Sequence, residues 1–181
     1  SELTIQQLRP KSVSDIDRIS SSQGLFLKPE QAALSAGRLA AIHELLDEEY
    51  SKRQWVVFCH SLGHTYCIAT LIDKFHGDVG VVGSNLSDEK NLSVIEDFKA
   101  GKIRSIVNVK YAAVGADFPS ADALLLTVPI SSPIFFEQIV GRVARGVAVG
   151  GSEKSVVFDF DSHFETFEDV QSFSRFADAW R

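Results

Sequence analysis

The residues of this chain best suited to chemistry lie together, at Gln138-Ile139-Val140-Gly141-Arg142-Val143-Ala144-Arg145. Arg142 and Arg145 are three apart, so on a helix they share one face. A guanidinium stays charged and presents a planar fork that matches phosphate oxygens. Two of them on one rigid element suit the steadying of charge on a phosphoryl group in transfer. Gly141, just before the first arginine, lets another group approach the backbone closely. The same spacing also fits a solvated helix end, so the pattern needs support from the rest of the sequence.

Other chemistries find less. Gly77, Gly80 and Gly83 are not followed by the Gly-Lys-Ser/Thr of a phosphate loop, and Gly146, Gly150 and Gly151 follow the arginine segment rather than a strand. Cys59 and Cys67 are the only cysteines and sit in apolar runs, as buried free thiols would. The histidines (His43, His60, His64, His76 and His163) form no metal-ligand spacing, so no metal site is expected. Asp159 and Asp161 fit loosely the strand-end carboxylates of a phosphate-ester hydrolase on a parallel sheet.

The elements that must position the arginines can be read from periodicity. The chain has 181 residues, 45% hydrophobic and 23% charged, which suits one domain with a substantial core. A net charge of -6 excludes a generally basic, nucleic-acid-coating protein but not a local strip in a cleft. No apolar stretch approaches the roughly 20 residues of a membrane span, and the first residues lack a secretory pattern, so a cytoplasmic protein with no membrane partner is expected. Residues 1–28 are broken by serines and glycine and read as an arm or linker. From Pro29, apolar residues at helical spacing predict a helix to about residues 50–53. Continuous apolar runs at 55–59, 79–83, 105–109, 123–128 and 155–160 read as strands buried on both faces. Helices are predicted between them over 65–75, from Ser87 to Gly101, and from Pro133 through the arginines. Strands alternating with helices predict an α/β fold with a central, mainly parallel sheet, in which ligands bind beyond the carboxyl ends of the strands. The body spans 29–162, and an aromatic, helical tail follows over 163–181.

At this point the order of motifs resembles the second motor domain of superfamily 2 helicases. Val56-Val57-Phe58-Cys59-His60-Ser61 is similar to motif IV, and Ile95-Glu96-Asp97-Phe98-Lys99-Ala100-Gly101 to the I-x-x-F-x-x-G helix end after it. Asn108-Val109 through Gly115-Ala116-Asp117-Phe118-Pro119 resembles motif V, and Gln138 to Arg145 resembles motif VI. The flavour is closest to the XPB-like, RadD-like and type I and III restriction-translocase branch. It is less like the DEAD-box branch, whose motif VI usually opens with histidine. Lys110-Tyr111-Ala112-Ala113-Val114 departs from the threonine or acidic residue that many relatives carry in motif V.

The resemblance implies a RecA-like three-layer domain that works against an N-terminal RecA-like domain of the same protein. That first domain would hold most of the ATP and Mg2+. Arg142 and Arg145 would then act as catalytic arginine fingers, and Gln138, Gly115 and Asp117 would contact the nucleotide. His60, Ser61, Gly83, Ser84, Asn108 and Lys110 would contact the nucleic-acid backbone, with DNA favoured over RNA. The isolated chain is expected to be inactive. The rival reading is a RecA-like lobe that binds nucleic acid or protein without catalysis.

Overall fold

Four-residue apolar runs buried on both sides fit the middle of a parallel sheet covered by helices. The computed structural model places them there. It describes residues 2–8, 36–59, 61–109, 118, 120–127, 136, 138–141 and 154–160. The elements are β1 (Glu2–Leu8), α1 (Ala36–Glu49) running into a 3-10 turn (Tyr50–Lys52), β2 (Trp55–Phe58), α2 (Leu62–Phe75), β3 (Val79–Val82), α3 (Asp88–Lys99), β4 (Ser105–Asn108), β5 (Ala123–Leu126) and β6 (Lys154–Phe160). Phe136 and residues 138–141 are also helical. The strands form one six-stranded sheet in the order β1-β6-β5-β2-β4-β3, with every neighbouring pair parallel.

Side chains alternate across each strand, so the sheet has two cores. On one side Val56, Phe58, Ile106 and Leu124 pack with Ile95 and Phe98 of α3 and with Phe136, Ile139 and Val140. On the other, Trp55, Val57, Val107, Leu125 and Phe158 pack with Ile42 and Leu46 of α1 and Ile68 and Ile72 of α2. Helix, sheet and helix make the three layers expected from the sequence.

The start of the chain departs from the expected irregular arm. Residues 2–8 extend the sheet as β1, pairing with β6 from Glu2↔Lys154 to Leu8↔Phe160. Leu3 packs on one core and Leu8 on the other. The boundaries drawn at 28–29 and 162–163, and the tail, lie outside the described residues.

The amino edge of the sheet is pinned by Tyr50. Its hydroxyl donates to Gly77 O at 2.9 Å and lies 3.0 Å from Ser105 Oγ. Burial pushes the phenol above its ordinary value, as its hydrogen-bonded, neutral role requires. Beside it, Trp55 Nε1 donates to Tyr50 O at 3.3 Å.

Gly80 sets how closely α3 approaches the sheet edge. A Cβ there would collide with Val94 Cγ1 and come within 2.6 Å of Ile103 Cδ1. Gly80→Ala is therefore expected to destabilise the domain by about 1–3 kcal/mol, the usual cost of overpacking. Trimming the neighbour should recover part of the loss. Urea unfolding of Gly80→Ala and of Gly80→Ala with Val94→Ala checks this: additive losses in the double variant would refute the collision.

Candidate nucleotide and nucleic-acid face

Parallel pairing brings the carboxyl ends of four strands to one edge. Phe58 stands level with both Asn108 and Leu126, and Val82 stands level with Asn108. Backbone groups at such an edge run out of strand partners, so side chains must complete them. Asn108 Nδ2 donates to Val57 O at 3.0 Å. Thr127 Oγ1 donates to Phe58 O at 2.6 Å. The loop after β2 leads into α2, whose N-cap is Ser61. Ser61 Oγ accepts from His64 N–H at 3.3 Å, and Ser61 O accepts from Thr65 N–H and Oγ1. This is the usual satisfaction of orphan donors at a helix start.

The loop after β3 is held by a side chain from the first turns of α3. Asn91, on α3 and 1% exposed, receives the Gly83 N–H on Oδ1 and donates Nδ2 to Gly83 O, both at 3.0 Å. Leu86 N–H also donates to Gly83 O, at 3.1 Å, closing a turn with Ser84 and Asn85 exposed at its tip. One amide side chain thus replaces a whole peptide partner at the strand end. The available signal was position. Asn91, Ile95 and Phe98 recur at helical spacing on the inward face, and a polar residue there must find a buried partner.

Of the sequence-predicted residues, Ser61, Gly83, Ser84 and Asn108 gather at this edge. They do not present equal surfaces. Ser84 is exposed, Ser61 is half-buried at its cap, and Gly83 and Asn108 are buried. The Asn108 amide turns inward to Val57, so Asn108 stitches the strand ends together instead of offering its side-chain nitrogen outward. Gln138 is exposed on a helix whose next two residues, Ile139 and Val140, are buried. A Cβ on Gly141 would meet nothing within 4 Å, so the close approach anticipated there is not made by the described part of this lobe. Arg142, Arg145, Gly115, Asp117, His60 and Lys110 lie outside the described residues.

The remaining candidates for chemistry are quiet. Burial pushes the Cys59 thiol up to about 12, which removes it as a nucleophile at neutral pH. Cys67 faces solvent on α2, unlike the buried thiol expected, because its apolar run contributes Ile68 and Ile72 to the core instead. Asp159 is buried within β6, opposite Gln7, while Asp161 lies outside the described residues. Among the described residues no group of His, Cys, Asp and Glu could hold a metal ion. Among them, too, no helix is long and apolar enough to cross a membrane.

Removing the Asn91 amide should loosen one loop. Asn91→Leu leaves the Gly83 N–H without its buried acceptor, at roughly 1–3 kcal/mol, while Gly83 O keeps only the Leu86 N–H of its two donors. Asn91→Asp keeps an acceptor for the N–H but sets a carboxylate against the Gly83 carbonyl. Amide hydrogen exchange at Gly83 should accelerate strongly in Asn91→Leu and leave β2 protection unchanged. Equal acceleration across the sheet would mean that Asn91 supports the fold at large rather than this turn.

A parallel six-stranded sheet flanked by helix layers is the architecture of a RecA-like lobe. The chain belongs to the helicase conserved C-terminal domain family, whose pattern it matches over residues 37–147. It is similar to a putative mitochondrial ATP-dependent helicase, irc3, of Schizosaccharomyces pombe, 26% identical over 148 residues, covering 80% of this chain and 24% of that protein. It is also similar to the ATP-dependent rRNA helicase rrp3 of Botryotinia fuckeliana, 26% identical over 163 residues, covering 87% of this chain and 33% of that protein. The chain thus spans about a quarter to a third of the length of these relatives. The C-terminal domain of the DEAD-box protein Dbp5 shares the fold, with a TM-score of 0.58 at 14% identity, covering 98% of this chain and 86% of that domain.

Proposed function

We propose that this chain is the second motor lobe of an ATP-dependent superfamily 2 helicase or translocase. It closes on an N-terminal RecA-like lobe of the same protein that holds most of the ATP and Mg2+. Arg142 and Arg145 reach across the closed cleft and stabilise charge on the transferring phosphoryl group. Gln138 makes a polar contact one turn earlier, and Gly115 and Asp117 border the nucleotide. Nucleic acid crosses the carboxyl edge of the sheet near His60, Ser61, Ser84 and Lys110. Gly83 and Asn108 shape that edge from within.

The observation that carries this reading is the helix before Arg142. Its apolar side, Ile139 and Val140, is buried, while Gln138 is exposed and Gly141 faces open space. At helical spacing Gln138, Arg142 and Arg145 share one face. The uncovered Gln138 and Gly141, the described members of that helix's polar side, support a face that meets another lobe. The family membership supports the same reading, as do the relatives named ATP-dependent helicases.

The nucleic acid is left with two arms. Gln138 in place of the usual DEAD-box histidine argues for the translocase-like branch and for DNA. The relatives named rRNA helicases argue for RNA. The test is ATP turnover by the full-length protein with single-stranded DNA, with RNA and with neither. Stimulation by either polymer, lost in the arginine variants, supports a motor lobe. No turnover under any condition supports a lobe that binds without catalysis.

A further inference from the structure

The proposed reading places nucleic acid along the carboxyl edge of the sheet, and the inference here rests on it. Two large apolar side chains stand exposed at that edge, Leu62 at 40% and Tyr66 at 47%. They are four residues apart in the first turns of α2, so they lie on one face. Leu62 Cδ2 lies 3.8 Å from the position of a Cβ on Gly83, which brings this face against the turn after β3. From that turn Asn85 donates Nδ2 to the Tyr66 hydroxyl at 3.2 Å. The ring of Tyr66 is thus tethered at its polar end while its body stays open to solvent.

We infer that Tyr66, steadied by Asn85 and flanked by Leu62, is a stacking platform for an unpaired base of single-stranded nucleic acid. An exposed aromatic ring held in place loses little freedom when a base lies on it, and every base offers a π-face. On the α2 side local charge does not oppose that occupant. From Leu62 to Ile72, α2 carries no acidic residue, in a chain of net charge -6. The opening turn of α3 carries Asp88 and Glu89 instead, which would repel phosphates and leave the α2 side as the open approach. Ser84 and Asn85, exposed at the turn, supply polar contacts to the sugar-phosphate chain beside the ring. In a duplex the base faces are already stacked, so the platform selects a single strand.

The test measures fluorescence anisotropy of oligo(dT), of oligo(U) and of a blunt duplex on the full-length protein. Wild type is compared with Tyr66→Ala, Tyr66→Phe and Asn85→Ala. Tyr66→Ala should weaken single-strand binding roughly 5- to 100-fold, the usual loss for one stacked base. It should leave duplex binding and the salt dependence nearly unchanged, because that slope counts phosphate contacts. Tyr66→Phe, which keeps the ring, should stay close to wild type, and Asn85→Ala should fall between. Wild-type binding with no change in Tyr66→Ala, or an equal loss on the duplex, overturns the platform and leaves the motor reading intact. A fall in ATP turnover at unchanged affinity assigns the patch to contact between lobes and also overturns it. A wild type that binds neither single strand nor duplex sinks the motor reading and the platform with it.

Discussion

Alanine at Arg142 is expected to lower nucleic-acid-stimulated ATP turnover about 10³-fold or more in the full-length protein, with nucleic-acid binding retained. The size follows from what an arginine finger does. In phosphoryl transfer the protein contributes positioning and charge stabilisation rather than covalent chemistry. A guanidinium brought up only on closure acts on the transition state and adds little to ground-state affinity, so its loss falls on kcat more than on KM. A 10³-fold loss corresponds to about 4 kcal/mol of transition-state stabilisation. Arg145→Ala should behave alike, and the double variant should lose less than the product of the two because both groups serve one charge. Arg142→Lys keeps the positive charge but not the fork, and should recover only a small part of the rate. Thermal stability should be near wild type in all of them. Turnover unchanged in both single variants, or a loss that tracks loss of folding, would remove the arginines from the chemistry.

The layers were legible because burial on both faces writes itself into the sequence as unbroken apolar runs. Trp55–Phe58, Ser105–Asn108 and Ala123–Leu126 fall within one or two residues of where those runs predict. Helix α3 was legible at both ends. Ser87 accepts from Lys90 N–H at the start, and Gly101 takes φ +70° just past the end, where a residue with a Cβ would be strained. The first strand was not legible, because its evidence is not local. Leu3, Ile5 and Leu8 give too short and broken a period, and the partner that makes β1 a strand is β6, at the other end of the described chain. Helix α2 begins at Leu62, earlier than apolar spacing suggested, because Ser61 caps it and its first turn, Leu62-Gly63-His64, lacks a clear apolar face. Within the candidate site, a polar residue at the end of a buried strand has two readings, outward contact or edge stitching. Sequence cannot separate them for Asn108, whereas the hydrogen bond to Val57 does. Tyr66 and Asn85 left no trace as a pair, since they are 19 residues apart and belong to separate elements.

Phe98→Ala is the substitution expected to cost most in stability, about 3–5 kcal/mol, from lost burial and the cavity left behind. Phe98 is fully buried at the last turn of α3. Its ring stands edge-to-face on Phe118, with centroids 6.1 Å apart and planes at 89°, the geometry that aromatic pairs prefer. Its carbonyl accepts from Gln54 Nε2 at 3.1 Å, tying the helix end to the segment before β2. A domain of this size holds only about 5–15 kcal/mol in total, so the variant should sit near the edge of folding at room temperature. Phe98→Leu keeps most of the volume and should cost less than half as much. Phe118→Ala should be comparable to Phe98→Ala, and the double variant should fall short of the sum because each ring removes the other's contact. The consequence reaches the proposed site, because Phe118 follows Asp117 directly. With Phe98 replaced by leucine, the fold survives but Phe118, next to Asp117 in the chain, loses part of its support, so the KM for ATP should rise before stability is lost. Urea midpoints for the four variants, set beside ATP kinetics for Phe98→Leu, separate the two effects. Strictly additive losses would show that the two rings do not brace each other. An unchanged KM would show that the segment carrying Asp117 does not depend on this support.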